Sequence, residues 1–97
     1  MSTYVWLVNW TDQGRRNLKE TTKRAKSFKE TAEKMGVTVK EILWTMGRYD
    51  LVLMINAPND ETNRLLALGL GMGGNATTET LKAISAQEMD QVLKRLP

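Results

Sequence analysis

Residues 37–58 read V-T-V-K-E-I-L-W-T-M-G-R-Y-D-L-V-L-M-I-N-A-P. From Val37 to Met46 polar and apolar residues alternate, which is the pattern of a half-buried strand. The next segment, Leu51–Ala57, is apolar on both faces apart from Asn56 and ends at Pro58, which cannot donate to a sheet ladder. These features predict a hairpin whose second strand lies in the middle of a sheet.

The residues before this hairpin predict a strand followed by a helix. Thr3–Trp10 is rich in aromatic and β-branched residues, which favour a strand. Thr11 is a suitable cap for a short helical turn, and a longer helix is expected from about Thr22 to Met35, where Gly36 ends it. The apolar stripe of this region consists of Leu18, Thr21, Ala25, Phe28, Ala32 and Met35.

The residues after the hairpin predict a helix, a strand and a final helix. Asn59 or Asp60 caps the first of these helices, which runs to about Leu70, and a strand follows at about 76–84. Ser85 and Glu88 have the spacing of a capping box that begins the last helix. Its apolar stripe consists of Met89, Val92, Leu93 and Leu96.

The complete order is therefore β-α-β-β-α-β-α. This order predicts an α+β fold of the ferredoxin-like βαββαβ type with a C-terminal helix and a four-stranded antiparallel sheet. A chain of 97 residues has the length of one domain, so we assign residues 1–97 to a single domain.

The composition excludes several classes of site. The chain has no cysteine and no histidine, which removes disulfides, thiolate zinc sites, iron–sulfur clusters, cysteine nucleophiles and most haem sites. We therefore expect no metal and no cofactor. The first residues lack the pattern of a signal peptide, and no apolar run approaches the ~20 residues of a membrane span, so a cytoplasmic location without membrane contact is expected.

Charge is distributed unevenly along the chain. Residues 1–49 contain ten Lys and Arg and five Asp and Glu, whereas residues 50–97 contain four and six. The basic stretch Arg15–Lys34 could bind phosphate, but its interspersed charges favour a solvated helix face. The predicted central strand Leu51–Ala57 lacks the aromatic residues with which RNA-recognition sheets stack bases, so the sequence argues against a nucleic-acid partner.

Apolar residues occupy both faces of the predicted strands, although helices can cover only one face of such a sheet. We therefore expect a homodimer or a higher homo-oligomer in which two sheets pack face to face and enclose a cavity for a small molecule. We assign Tyr4, Trp6 and Val8 to the face that looks into this cavity. The candidate ligand-binding residues are Tyr4, Trp6, Trp44, Arg48 and Tyr49.

The turn of the hairpin reads G-R-Y-D at 47–50 and resembles the motif of the GYD domain family. The resemblance also covers N-W-T-D-Q-G at 9–14, Ala57–Pro58, and T-E-T-L at 78–81. It implies a small α+β domain related to dimeric α/β-barrel proteins. It implies no established activity.

Two interpretations of the motif remain open. In the structural one, Gly47 supplies a positive φ, Asp50 bonds nearby backbone N–H groups and the Tyr49 ring packs. In the chemical one, Tyr49 is a general acid or hydrogen-bond donor that Asp50 or Glu79 orients, and Arg48 binds an anion. Three functions follow as hypotheses: small-molecule binding between the sheets, cofactor-independent catalysis on an aromatic or carbonyl compound, and protein interaction alone.

Overall fold

A computed structural model describes all 97 residues and contains one four-stranded antiparallel sheet in the order β2-β3-β1-β4. The strands are β1 (Ser2–Trp10), β2 (Thr38–Trp44), β3 (Leu51–Ala57) and β4 (Ala76–Ala83). The helices are α1 (Asp12–Arg16), α2 (Thr21–Lys34), α3 (Asp60–Met72) and α4 (Ala86–Leu93), and a 3₁₀ turn spans Leu18–Glu20. The predicted ferredoxin-like α+β fold and its C-terminal helix are confirmed.

The apolar core lies between one face of the sheet and helices α2 and α3. Trp6, Val37 and Ile55 have the largest fully buried side chains, and Ala32 of α2 and Leu66 of α3 cover the core from the helical side. As predicted, β3 is central, because it pairs with β1 on one side and β2 on the other.

The prediction that Tyr4, Trp6 and Val8 of β1 face a cavity between two sheets is wrong. Tyr4, Trp6 and Val8 lie under the helices, with at most 3% of each residue exposed, and do not face an intersheet cavity. The Trp6 ring packs at 5.5 Å from the ring of Phe28, and its indole N–H donates to Asn63 Oδ1 at 2.8 Å. Since both faces of β1 are apolar, the sequence pattern alone did not distinguish them.

Strand β2 departs from simple alternation. Val39 pairs with Ile55, but Glu41 pairs with Met54, so Lys40 is the extra residue of a β-bulge. The bulge reverses the alternation, and Val39 and Ile42 therefore face the core together, contrary to the prediction. The strand also ends at Trp44, two residues before the expected Met46, which is fully exposed.

Helix α4 begins as predicted but buries none of its residues. The Ser85 hydroxyl accepts a hydrogen bond from the backbone N–H of Glu88 at 3.1 Å, which confirms the cap. Every residue from Ala86 to Leu93 is nevertheless exposed, and the helix ends at Leu93, so Leu96 of the predicted stripe lies just beyond it. None of the helices has the length and apolar character that a membrane crossing would need.

Candidate functional site

The sheet face opposite the helices, which we call the open face, carries a continuous apolar patch. In the strand register, Leu7 lies between Val52 and Glu79, and Val5 lies between Met54 and Leu81. The patch consists of Val5, Leu7, Leu43, Val52, Met54 and Leu81. Leu43, Met54 and Leu81 are 52%, 42% and 50% exposed, so the centre of the sheet presents large apolar side chains to the surroundings.

The G-R-Y-D motif forms the turn at one edge of this face. Gly47 has a φ of 125°, which a residue with a Cβ rarely adopts and which explains the glycine. The backbone N–H of Thr45 donates to the carbonyl of Asp50 at 2.9 Å, and the Thr45 hydroxyl donates to the carbonyl of Tyr49 at 2.6 Å. These two hydrogen bonds join the residues on either side of the turn and fix the backbone of Tyr49 and Asp50 relative to Thr45.

Asp50 binds the backbone of β1. Its N–H donates to the carbonyl of Val8 at 2.9 Å, and its carboxylate accepts from the N–H of Trp10 at 2.9 Å. Asp50 therefore extends the pairing of β1 with β3, in line with the structural interpretation of the motif. It does not contact the Tyr49 hydroxyl.

The Tyr49 hydroxyl instead donates to Glu79 Oε2 on β4 at 2.7 Å. This bond, together with partial burial, raises the pKa of Tyr49, because the hydrogen bond to the carboxylate favours the protonated phenol. The Arg48 guanidinium lies 5.8 Å from the centre of the Tyr49 ring. The structure thus brings Tyr49, Glu79 and Arg48 together, and the protonated phenol suits a hydrogen-bond donor better than a base.

The five predicted ligand-binding residues do not converge. Arg48 and Tyr49 lie in the turn, whereas Tyr4 and Trp6 are under the helices. Trp44 also lies on the helical side, since its indole N–H donates to the hydroxyl of Thr21 in α2 at 3.1 Å. One ligand between two sheets would therefore contact only part of this set.

A polar cluster that was not predicted from the sequence lies at the start of α3. The Tyr4 hydroxyl donates to Asp60 Oδ1, and Lys82 Nζ lies 2.8 Å from the same oxygen. Lys82, followed by Tyr4, lowers the pKa of Asp60, and Asp60 raises the pKa of Lys82. Burial, followed by the bond to Asp60, raises the pKa of Tyr4. Tyr4 and Lys82 come together because they are paired in the register of β1 and β4. The sequence does not show this register, so it contained no signal for the cluster.

This cluster lines a depression of about 270 Å³ that also includes Asn63, Arg64, Ala67 and Thr80. No group of three or more Asp and Glu side chains is arranged to hold a metal ion anywhere in the chain. The depression therefore presents the cations Lys82 and Arg64 and several hydrogen-bonding side chains, and it contains no cluster of carboxylates for a metal ion.

A larger cleft of about 500 Å³ separates α2 from α3 and was also not predicted. Val8, Trp10, Leu51 and Leu53 of the sheet form its floor. Its walls are formed by Phe28 of α2, by Met35 just after the end of α2, and by Leu65, Leu66 and Leu70 of α3. Glu20, Lys23 and Arg24 line the cleft near the start of α2, so a mostly apolar concave surface has a charged rim.

The sheet order, the two helices on one face and the G-R-Y-D turn define a small ferredoxin-like α+β domain. The chain belongs to the GYD domain family, whose model matches residues 4–93, and the resemblance seen in the sequence is thereby confirmed. It is similar to a protein of Thermus thermophilus that is named glutamine synthetase and cystathionine beta-lyase binding protein. The two are 30% identical over 95 residues, which cover 97% of this chain and all of the relative. No solved structure shows a significant match.

Proposed function

We propose that this chain is a homodimeric protein-binding module of the cytoplasm whose partner is a metabolic enzyme. The observation that carries the proposal is the similarity, over almost the whole chain, to a relative named for its binding of two enzymes. The exposed surface supports the homodimeric part of the proposal. Large exposed apolar patches on a soluble protein typically mark interaction surfaces, and the open face is such a patch.

The dimer is proposed to form by packing of the open faces of two copies. Two sheets that pack face to face bury interdigitated side chains in a layer about 10 Å thick. Leu43, Met54 and Leu81 would then lose the exposure that they have in the single chain. Because a two-fold axis pairs the same patch with itself, one apolar surface is sufficient for this interface.

The dimer is tested by sedimentation velocity at micromolar concentration. We expect the unsubstituted chain to sediment as a dimer or a larger assembly and Met54→Lys to sediment as a smaller species, since the substitution buries a charge in the sheet-to-sheet interface. Gln91→Lys, at an exposed position of α4, is the matched control and should leave the mass unchanged. A monomeric unsubstituted chain, or a Met54→Lys variant that sediments as the same species as the unsubstituted chain, would contradict the proposed interface.

Enzyme binding is tested separately with purified glutamine synthetase and purified cystathionine β-lyase from the same organism as this chain. We expect saturable binding to at least one of them by biolayer interferometry, and no binding to an unrelated enzyme of similar charge. The Met54→Lys variant shows whether the dimer is required. Absence of saturable binding to both enzymes would reject the proposed partner, whatever the oligomeric state.

The second candidate function is binding of a small molecule between the two sheets, and the position of the Tyr49–Glu79 pair favours it. The pair adds a hydrogen-bond donor and a carboxylate to a largely apolar face, as in many ligand cavities. Native mass spectrometry of the freshly purified protein should then show a retained mass that denaturation releases. Tyr49→Phe should reduce the retained fraction, and turnover of an aromatic or carbonyl compound that depends on Tyr49 would support the enzymatic alternative.

A further inference from the structure

Helix α4 has the residue spacing of a helix that lies in a groove. Met89, Val92 and Leu93 follow the spacing i, i+3 and i+4, which places them on one side of the helix, and Leu96 follows in the turn just after its end. Their exposed fractions lie between 44% and 64%, so about half of each of these residues remains open to contact. An isolated helix of eight residues is only marginally stable in water, because most helical stability in proteins comes from the packing of an apolar face. A partner for the apolar stripe would therefore stabilise α4.

The α2–α3 cleft is a concave apolar surface on the same molecule. Its volume of about 500 Å³ and its apolar walls suit the side chains of an amphipathic helix. Leu65, on the wall formed by α3, is 55% exposed, whereas its neighbour Leu66 is buried. The cleft therefore lacks cover along one wall.

Helix α4 does not cover the cleft of its own chain. No residue of α4 lines the cleft, and of β4 only its first residue, Ala76, does. Helix α4 follows the other end of β4, at Ala83, through the two-residue link Ile84–Ser85, whose three Cα–Cα steps span at most about 11 Å. Helix α3 packs against β4 and is about 10 Å across with its side chains, so a path around α3 to the cleft is longer than this link.

Charge at the cleft rim complements charge on α4. The Arg24 guanidinium donates to the backbone carbonyls of Asn17 and Gly14, and no carboxylate of the chain forms an ion pair with it. On α4, Glu88 and Asp90 flank the apolar stripe on either side. A docked α4 would therefore bring a carboxylate to a fixed and unpaired cation.

We propose that α4 of one copy binds in the α2–α3 cleft of a second copy, with its apolar stripe against the cleft walls and an acidic residue of the helix beside Arg24. This contact joins two different surfaces, and the cleft lies on the side of the sheet opposite the open face. It is therefore independent of the proposed sheet-to-sheet dimer. If each of two copies binds the α4 of the other, the two contacts form a closed pair. If each copy binds the α4 of a different copy, the contact links further copies into a larger assembly.

The proposal is tested by disulfide formation, for which the cysteine-free chain is well suited because every thiol is then an introduced one. The 97-residue chain with Leu93→Cys is mixed with the ¹⁵N-labelled Leu65→Cys chain and oxidised, and the cross-linked species are identified by mass spectrometry. A disulfide requires Cα atoms within about 7 Å, so its formation reports direct contact of the two positions. We expect rapid formation of the mixed 93–65 disulfide between labelled and unlabelled chains.

Matched controls lie on the same two helices. Gln91→Cys is on the side of α4 away from the stripe, and Leu68→Cys is an exposed position of α3 that does not line the cleft. Both should cross-link at least tenfold more slowly than the 93–65 pair. All four positions are exposed in the single chain, so the substitutions should leave the fold intact, which near-ultraviolet circular dichroism checks.

Three results would overturn the proposal. The first is a 93–65 disulfide that forms no faster than the 91–65 or the 93–68 disulfide. The second is a Leu65→Cys, Leu93→Cys double variant that closes its disulfide within one chain upon dilution, which would show that α4 covers its own cleft. The third is faster pairing of position 93 with Leu81→Cys, which would place α4 on the open face.

Discussion

The carboxylate of Asp50 accepts a hydrogen bond from the backbone N–H of Trp10 at 2.9 Å. The pairing between β1 and β3 in the sheet register ends with Val8 opposite Leu51, so this bond satisfies a backbone group of the central strand just beyond the ladder. The last residue of the G-R-Y-D motif therefore fixes the end of β1 to the hairpin. Its presence is explained without a catalytic role.

Asp50→Ala should destabilise the protein, because it removes a charged acceptor and leaves the N–H of Trp10 without its partner. Loss of such a bond typically costs about 1–3 kcal/mol of unfolding free energy. Urea denaturation followed by tryptophan fluorescence measures this cost. Asp12→Ala is the control, since the exposed ion pair of Asp12 with Arg15 should contribute less than about 1 kcal/mol, and equal costs for both variants would contradict the role assigned to Asp50.

The order of the elements was predictable because local signals mark their limits. Ser85 and Glu88 mark the start of α4, and Gly47 marks the turn. The bulge at Lys40 was not predictable, because it depends on which residues of β3 lie opposite β2. The face of β1 that meets the helices was missed because Val5 and Leu7 are as apolar as their neighbours.

Only part of the candidate site could be found from the sequence. Tyr49 and Glu79 were named as partners because of their residue types, and the structure places them in contact. Tyr4, Asp60 and Lys82 come from three separate segments and meet only through the strand register and the start of α3. The α2 wall of the α2–α3 cleft was predicted as an apolar helix face, but the α3 wall and the distance between the helices are properties of the tertiary packing.

Removal of the Asn63 side chain should destabilise the core through Trp6. Asn63 is 5% exposed, and its carbonyl oxygen accepts from the indole N–H of the fully buried Trp6. Asn63→Ala leaves that N–H buried and unpaired, at a typical cost of about 1–3 kcal/mol. The same substitution in a Trp6→Phe background should cost less, because phenylalanine has no N–H to satisfy, and an unchanged cost in the double-mutant cycle would show that the bond contributes nothing.

The Tyr4–Asp60–Lys82 cluster should give stability a specific dependence on pH. The folded pKa of Asp60 is lowered, so its contribution is present above the ordinary carboxyl pKa of about 4 and is lost as the pH falls through the folded pKa. The folded pKa of Lys82 is raised, so its contribution is present below the ordinary lysine pKa of about 10.4 and is lost as the pH rises through the folded pKa.

Asp60→Asn tests both limits of this dependence. The difference in unfolding free energy between the unsubstituted chain and the variant should be largest near neutral pH and should shrink at both acidic and strongly alkaline pH. Urea titrations over a series of pH values measure it. Asp12→Asn is the control, because the carboxylate of Asp12 is more exposed than that of Asp60. Parallel pH profiles for Asp60→Asn and the unsubstituted chain would show that the cluster is not coupled to folding.

Gly14→Ala should be strongly destabilising although Gly14 lies in a helix, where alanine is normally preferred. A Cβ at this position would lie 2.1 Å from the carbonyl oxygen of Asn75 and 3.2 Å from Cβ of Trp10. The same carbonyl accepts from the N–H of Thr11 at 3.1 Å, so the backbone cannot move away without loss of that bond. Overpacking of this kind costs about 1–3 kcal/mol or more.

The control for Gly14→Ala is Gly71→Ala in α3, where an added Cβ meets no atom within 4 Å. This substitution should stabilise the helix by about 0.5–1 kcal/mol, because alanine loses less backbone entropy than glycine when the chain folds. Thermal unfolding of the two variants should therefore shift in opposite directions. A stabilised Gly14→Ala would show that α1 does not pack closely against the start of β4.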